Sequence, residues 1–213
     1  MNKKLNSFSV PLGLLDYINP IFYAITTFTI MHFMQGRMDP TIFMLFKIGA
    51  ILSLVVGMII PTGKLIVGLG IIEFVMPVIL VYLVNTGILL SGLMLFKTVI
   101  DPSNIIFGLL ILVILVLLGL VYKQTKKFNT VAVLNGMAGY LLVYISLITL
   151  SIQNKFYVSV ICYALAICLF VFLGGVGIKA NLKDPRVHWV IEICNVICQG
   201  CVALGTLLLF GVL

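Results

Sequence analysis

The chain has 213 residues, of which 62% are hydrophobic and only 9% charged. A soluble domain carries about 25% charged residues, so this composition excludes an ordinary water-exposed surface and predicts an all-α, polytopic transmembrane bundle in the cell membrane. The net charge of +7 is read as the positive-inside rule, not as affinity for nucleic acid, because most bases stand in short loops and no aromatic–basic interleaving occurs.

The N-terminus carries Lys3 and Lys4 and a polar stretch to Ser9. The apolar segment that follows is too long for a signal peptide and lacks a small-residue cleavage site, so it is read as a retained first span. A membrane helix needs about 20 mostly apolar residues. Candidate spans are 11–34, 41–60, 65–97, 104–122, 129–152, 156–178 and 187–213, within one integral membrane domain, 1–213. Their separators include QGRMDP, PTGK, TVIDPS, KQTKKF and KANLKDPR.

The third segment is long for one crossing. At 1.5 Å per residue it would reach roughly 50 Å against a core of about 30 Å. A kink at Pro77 and a break at Asn85-Thr86-Gly87 are expected there. With one crossing, nine bases (Lys3, Lys4, Lys64, Lys123, Lys126, Lys127, Lys179, Lys183, Arg186) fall on one side and three (Arg37, Lys97, Lys155) on the other. Two crossings would abolish that bias. Seven spans follow, with a cytoplasmic N-terminus and an external C-terminus. Spans 1–3 and 5–7 then run in the same sense, the arrangement of a parallel three-helix repeat, although matching the halves yields little beyond Asn19 and Asn135.

Each acid can be placed. Asp39-Pro40, Asp101-Pro102 and Asp184-Pro185 read as helix starts, with Asp as cap and Pro at the first helical position. Asp16, Glu73 and Glu192 fall inside spans, where an ionisable group costs several kcal/mol unless it faces a partner or a cavity. The bland reading has Asp16 and Glu192 reaching boundary water while Glu73 forms a structural ion pair with the intramembrane base Lys47.

The sharper reading rests on two polar stripes. His188, Glu192, Asn195 and Gln199 share a helix face, and so do Asp16, Asn19, Tyr23 and Thr27. Their depths match: Asp16 with Glu192, Asn19 with Asn195, Tyr23 with Gln199. Such stripes face protein or water, not lipid. They either glue helices together or line a cavity between spans 1, 3 and 7.

Cys162, Cys168, Cys194, Cys198 and Cys201 read as apolar packing residues without disulfides. Trp189, Tyr17 and Tyr122 fit interface anchors. No metal or cofactor is expected: retinal, bis-histidine haem, zinc-hydrolase and P-loop patterns are all missing.

The preferred expectation is therefore a transporter or channel-like protein. Asp16, Glu73 and Glu192 would hold a cation, proton or amine, and Asn19, Tyr23, Asn195, Gln199 and His188 would complete the site. A second reading is a non-catalytic membrane subunit or sensor that recruits a partner through basic cytoplasmic loops. A third is a membrane enzyme using His188 and Glu192. Expected partners are membrane lipid, a small solute or cation, and a protein partner or further copies of the chain.

Overall fold

A computed structural model describes residues 9–71, 78–179 and 185–211. Every regular element among them is helical: α1 (Val10–Asp16), α2 (Ile18–Met34), α3 (Pro40–Gly68), α4 (Val78–Ile100), α5 (Asn104–Thr125), α6 (Phe128–Gln153), α7 (Tyr157–Lys179) and α8 (Pro185–Leu209). The first two form one rod broken at Tyr17, so the bundle has seven. Six are long and apolar enough to cross a membrane, and α7 adds a shorter apolar stretch, Tyr157–Leu173. The protein is a multi-pass helical membrane protein.

The break at Tyr17 has a local cause. Pro20 has no N–H to offer the Asp16 carbonyl four residues back, so the helical ladder lapses there. Tyr17 nevertheless keeps helical dihedrals, φ −65° and ψ −22°, and the two segments remain one span.

The boundary expected between spans 2 and 3 is wrong. PTGK is not a loop: Pro61, Thr62, Gly63 and Lys64 all lie inside α3. Proline is tolerated in a membrane helix when neighbouring groups satisfy the disturbed backbone. Here Thr62 donates its hydroxyl to the Met58 carbonyl at 2.7 Å. The helix runs on to Gly68 and is stopped by Gly70, in the left-handed region (φ +72°). Gly70 N–H bonds Val67 O at 2.9 Å and Ile71 N–H bonds Ile66 O at 3.2 Å, the paired bonds of a glycine-terminated helix. Moving the boundary also removes the length problem, because α4 has 23 residues. Pro77 lies outside the described residues.

The break expected at Asn85-Thr86-Gly87 is absent; those residues sit mid-helix in α4. They are small or polar because α4 is the central helix, squeezed between α3 and α6. A Cβ on Gly49 would lie 2.6 Å from Gly87 O, and one on Gly139 would lie 2.5 Å from Leu89 N. Only glycine permits backbones that close. Asn135 donates to Thr86 Oγ1 at 3.0 Å, which ties α6 to α4. Asn135 thus meets a hydroxyl on a neighbouring helix, whereas Asn19, described below, meets carboxylates, and the two do not play matching roles.

Of the three Asp-Pro starts, Asp39 caps α3, accepting from Thr41 N at 2.8 Å and Ile42 N at 3.3 Å. Asp101 does not cap α5. Ser103 does, accepting from Ile106 N at 3.4 Å. Asp101 instead turns the chain out of α4 in the left-handed region (φ +48°), which Asp tolerates better than most residues. Its carboxylate sits 3.4 Å from Lys97 Nζ. Asp184 lies outside the described residues.

Two contacts fix the sense of the rods. Gly13 on α1 packs against Leu65 near the end of α3, so the starts of α1 and α8 and the end of α3 share one end of the bundle. Phe33 on α2 stacks on Phe210 just beyond α8, with ring centroids 4.9 Å apart, at the other. Towards that Phe210 end the core is apolar and dense, with Ile30, Phe46, Leu95, Leu147 and Tyr163 almost fully buried. α5 has no buried residue at all; its whole apolar circumference suits lipid.

Candidate functional site

At the Asp16 end three charged side chains converge from three helices. Lys64 Nζ, on α3, lies 2.7 Å from Asp16 Oδ2 on α1 and 2.6 Å from Glu192 Oε1 on α8. All three are largely shielded, with side-chain exposures of 13%, 11% and 8%. Asn19, one turn beyond Asp16, donates to Asp16 Oδ1 at 3.1 Å and to Glu192 Oε2 at 3.4 Å. Asp16 and Glu192 therefore come together inside the bundle, braced by one amide and bridged by one ammonium.

Lys64 is the residue that sequence reading missed as a site member. With PTGK taken for a loop, it counted as a topology determinant in water. Its place follows from the longer α3: two or three turns of extra helix carry it past Pro61 and against α1 and α8.

Next to this triad lies a cavity of about 200 Å³. Asp16, Asn19, Pro20 and Tyr23 form its wall from the first rod. Asn195 and Gln199 face them from α8, Ser53, Gly57 and Pro61 from α3, and Tyr140 from α6. Neither Glu192 nor Lys64 lines it; they close its flank. His188, one turn before Glu192, is not among its lining residues either.

Several polar atoms here are left over. Asn19 Oδ1 and the Tyr23 hydroxyl are buried without a hydrogen-bond partner. Pro61 cannot donate to the Gly57 carbonyl, and both residues line the cavity. Buried polar groups are almost always satisfied by protein or by water, so these acceptors fit a hydrated or ligand-bearing space. At roughly 30 Å³ per water, the space suits a handful of waters or one small solute.

The deep end of the cavity is a layer of Tyr23, Tyr140 and Gln199, with Gln199 Nε2 donating to the Tyr140 hydroxyl at 3.2 Å. By helical rise the layer lies roughly 10 Å below Asp16. Beyond it is a second void of about 20 Å³, which Tyr23, Tyr140 and Gln199 also line, together with Thr26, Thr27 and Ser91. The Thr26 hydroxyl, on a residue only 4% exposed, has no partner. Thr27 bonds its own helix at Tyr23 O, 2.8 Å. Ile30, Phe46 and Leu95 bound the void on the far side, and the apolar core begins there.

The other candidates lie elsewhere. Lys47 sits over the Phe43 ring, 4.8 Å from its centroid, and no described carboxylate is within ion-pair distance. Glu73, its expected partner and a proposed site member, lies outside the described residues. The five cysteines are free; Cys198 packs against Tyr144 and Ala166 O, away from the cavity wall.

Compared with protein-family models, curated proteins and solved structures, the chain matches none.

Proposed function

We propose that this multi-pass protein of the cell membrane is a carrier or channel-like protein for a small polar or cationic solute. The observation that supports the reading is the cavity of about 200 Å³, with a carboxylate at one end, unpartnered buried acceptors along its wall and an aromatic layer at its base. Bundles that need polar residues only as glue satisfy them against neighbouring helices. Here Asn19 and Tyr23 line the cavity while Asn19 Oδ1 and the Tyr23 hydroxyl lack an aligned partner on any described helix. Prolines on facing helices, Pro20 and Pro61, interrupt the ladder beside that space, as broken helices do where carriers bind solutes near mid-membrane.

Loop charge supports a cytoplasmic Asp16 end. With Lys64 taken up by the triad, eight bases remain on that side against three on the other, which keeps the bias. The cavity would then face the cytoplasm, closed towards the outside by the core around Phe46 and Leu95.

Proteoliposomes test the reading. Flux of a panel of small amines and polyols, followed by light scattering, should exceed that of protein-free vesicles for at least one member. Asn195→Trp, which fills the cavity, should abolish the excess. A panel with no member passing faster than through lipid alone would refute transport.

A further inference from the structure

The two carboxylates of the triad are not held alike. Glu192 Oε1 accepts a hydrogen bond from Lys64 Nζ at 2.6 Å. Asp16 Oδ2, although 2.7 Å from the same nitrogen, makes no aligned hydrogen bond. Only Asp16 lines the cavity. On the same wall Asn19 Oδ1 is a buried acceptor without a partner, and so is the Tyr23 hydroxyl two turns below Asp16.

One lysine and one acid would suffice to join α3 to α8. A second acid brought into the same shielded place adds desolvation cost, and the α1–α3 link it makes is already supplied by Gly13 packing against Leu65. An ammonium carries three N–H donors and no acceptor. Asp16, Asn19 and Tyr23 line the cavity and carry acceptor oxygens for such a donor set, Asp16 Oδ2 being covered by Lys64 at 2.7 Å, and no basic residue is among the described lining residues. Lys64 itself has a place to retreat to, because its better-aligned partner Glu192 lies behind the wall.

We propose that Asp16 and Asn19 form a primary-ammonium site at the cavity rim, with Lys64 as its tethered occupant. A soluble primary amine binds by taking Lys64's place beside Asp16 while Lys64 stays on Glu192. This rests on the cavity reading only in that Asp16 must be reachable from the cavity. It narrows the solute from polar or cationic to amines with N–H donors, and it makes Lys64 the competitor that sets affinity.

The test is a thermal-shift titration of the purified full chain in detergent with methylammonium, against tetramethylammonium at equal ionic strength. Methylammonium should raise Tm saturably, and tetramethylammonium, which has no N–H, should not. Asp16→Asn should abolish the response. Glu192→Gln should weaken it at least tenfold, because Lys64 then loses the carboxylate that draws it away from Asp16. Lys64→Ala should lower the half-saturating concentration at least tenfold. If Lys64→Ala does not purify folded, Lys64→Ala with Glu192→Gln leaves one carboxylate for one ammonium and carries the same expectation. Equal responses to the two cations, an unchanged response in Glu192→Gln, or a response lost in Lys64→Ala would overturn the proposal. Its failure is separable from that of transport: polyol flux without an ammonium response leaves the pathway standing, and an ammonium response without any flux leaves a binding site standing.

Discussion

The two ends of this bundle differ in what borders their polar residues. Towards the Phe210 end, hydroxyls fold back on their own helices: Ser146 onto Leu142 O at 2.7 Å, Ser151 onto Leu147 O at 2.8 Å and Thr206 onto Val202 O at 2.8 Å. These residues are fully buried; the Ser159 hydroxyl there has no partner and Tyr163 meets Thr206 Oγ1 across helices at 3.1 Å, but neither borders the cavities described above. Towards the Asp16 end, polar groups reach between helices or have no partner, and a cavity opens beside them. The lesson is that polarity alone does not mark a site in a membrane bundle. What marks it is polarity that the local helix does not absorb and that borders a cavity. Hydroxyls one turn from a free carbonyl are absorbed at little cost; carboxylates, carboxamides and phenols are not.

That contrast makes graded claims about stability. The largest effect is expected at the triad. Lys64→Ala leaves two shielded carboxylates without the ammonium that bridges them, and unfolding in detergent should show a loss of about 3–5 kcal/mol. Adding Glu192→Gln should recover much of it, since one charge then replaces two. A loss within 0.5 kcal/mol would mean the triad is bathed in water, and the contrast between the ends would fail. Next comes the packed centre. Gly139→Ala puts a methyl 2.5 Å from Leu89 N, a backbone atom that moves only with its helix, so about 1–3 kcal/mol should be lost. Gly57→Ala meets nothing within 4 Å and should be neutral or slightly stabilising in the same assay, while narrowing the cavity. If the two glycines respond alike, the cavity is not the open space described. The smallest loss is expected at Asp39→Ala, which removes the cap of α3 at the closed end: about 1 kcal/mol, with solute flux unchanged.

Much of the fold was legible because lipid imposes one simple requirement, long apolar helices with every backbone group satisfied internally. The pairing of stripes on the first and last rods was also legible, because 3.6-residue periodicity and equal depth suffice to bring Asp16, Asn19, Asn195 and Gln199 near one another. What misled was punctuation. Pro-Thr-Gly looks like a turn, yet Thr62 covers the carbonyl at Met58 and the helix continues; the stop lies at Gly70, whose positive φ a short apolar context conceals. That single shift moved Lys64 from solvent into the triad and Pro61 into the cavity wall. Asp101 misled for a related reason: two polar residues, Asp101 and Ser103, competed for one cap, and the chain reversal took the aspartate. Ser53 and Tyr140 carried no signal in the linear pattern, since the other polar residues of α3 and α6 form no single stripe with them and only the packing of α3, α4 and α6 turns them inward.

The central claim is that water enters from the Asp16 end as far as the Tyr23–Tyr140–Gln199 layer and no farther. Hydroxyl-radical labelling of the purified protein, read by mass spectrometry at each tyrosine, tests it without any substitution. Tyr23 and Tyr140 should be oxidised at rates approaching that of exposed Tyr157, and Tyr163, buried at the closed end, should stay protected by at least tenfold. Tyr23 and Tyr140 as protected as Tyr163 would mean a dry, filled interior and would contradict the account.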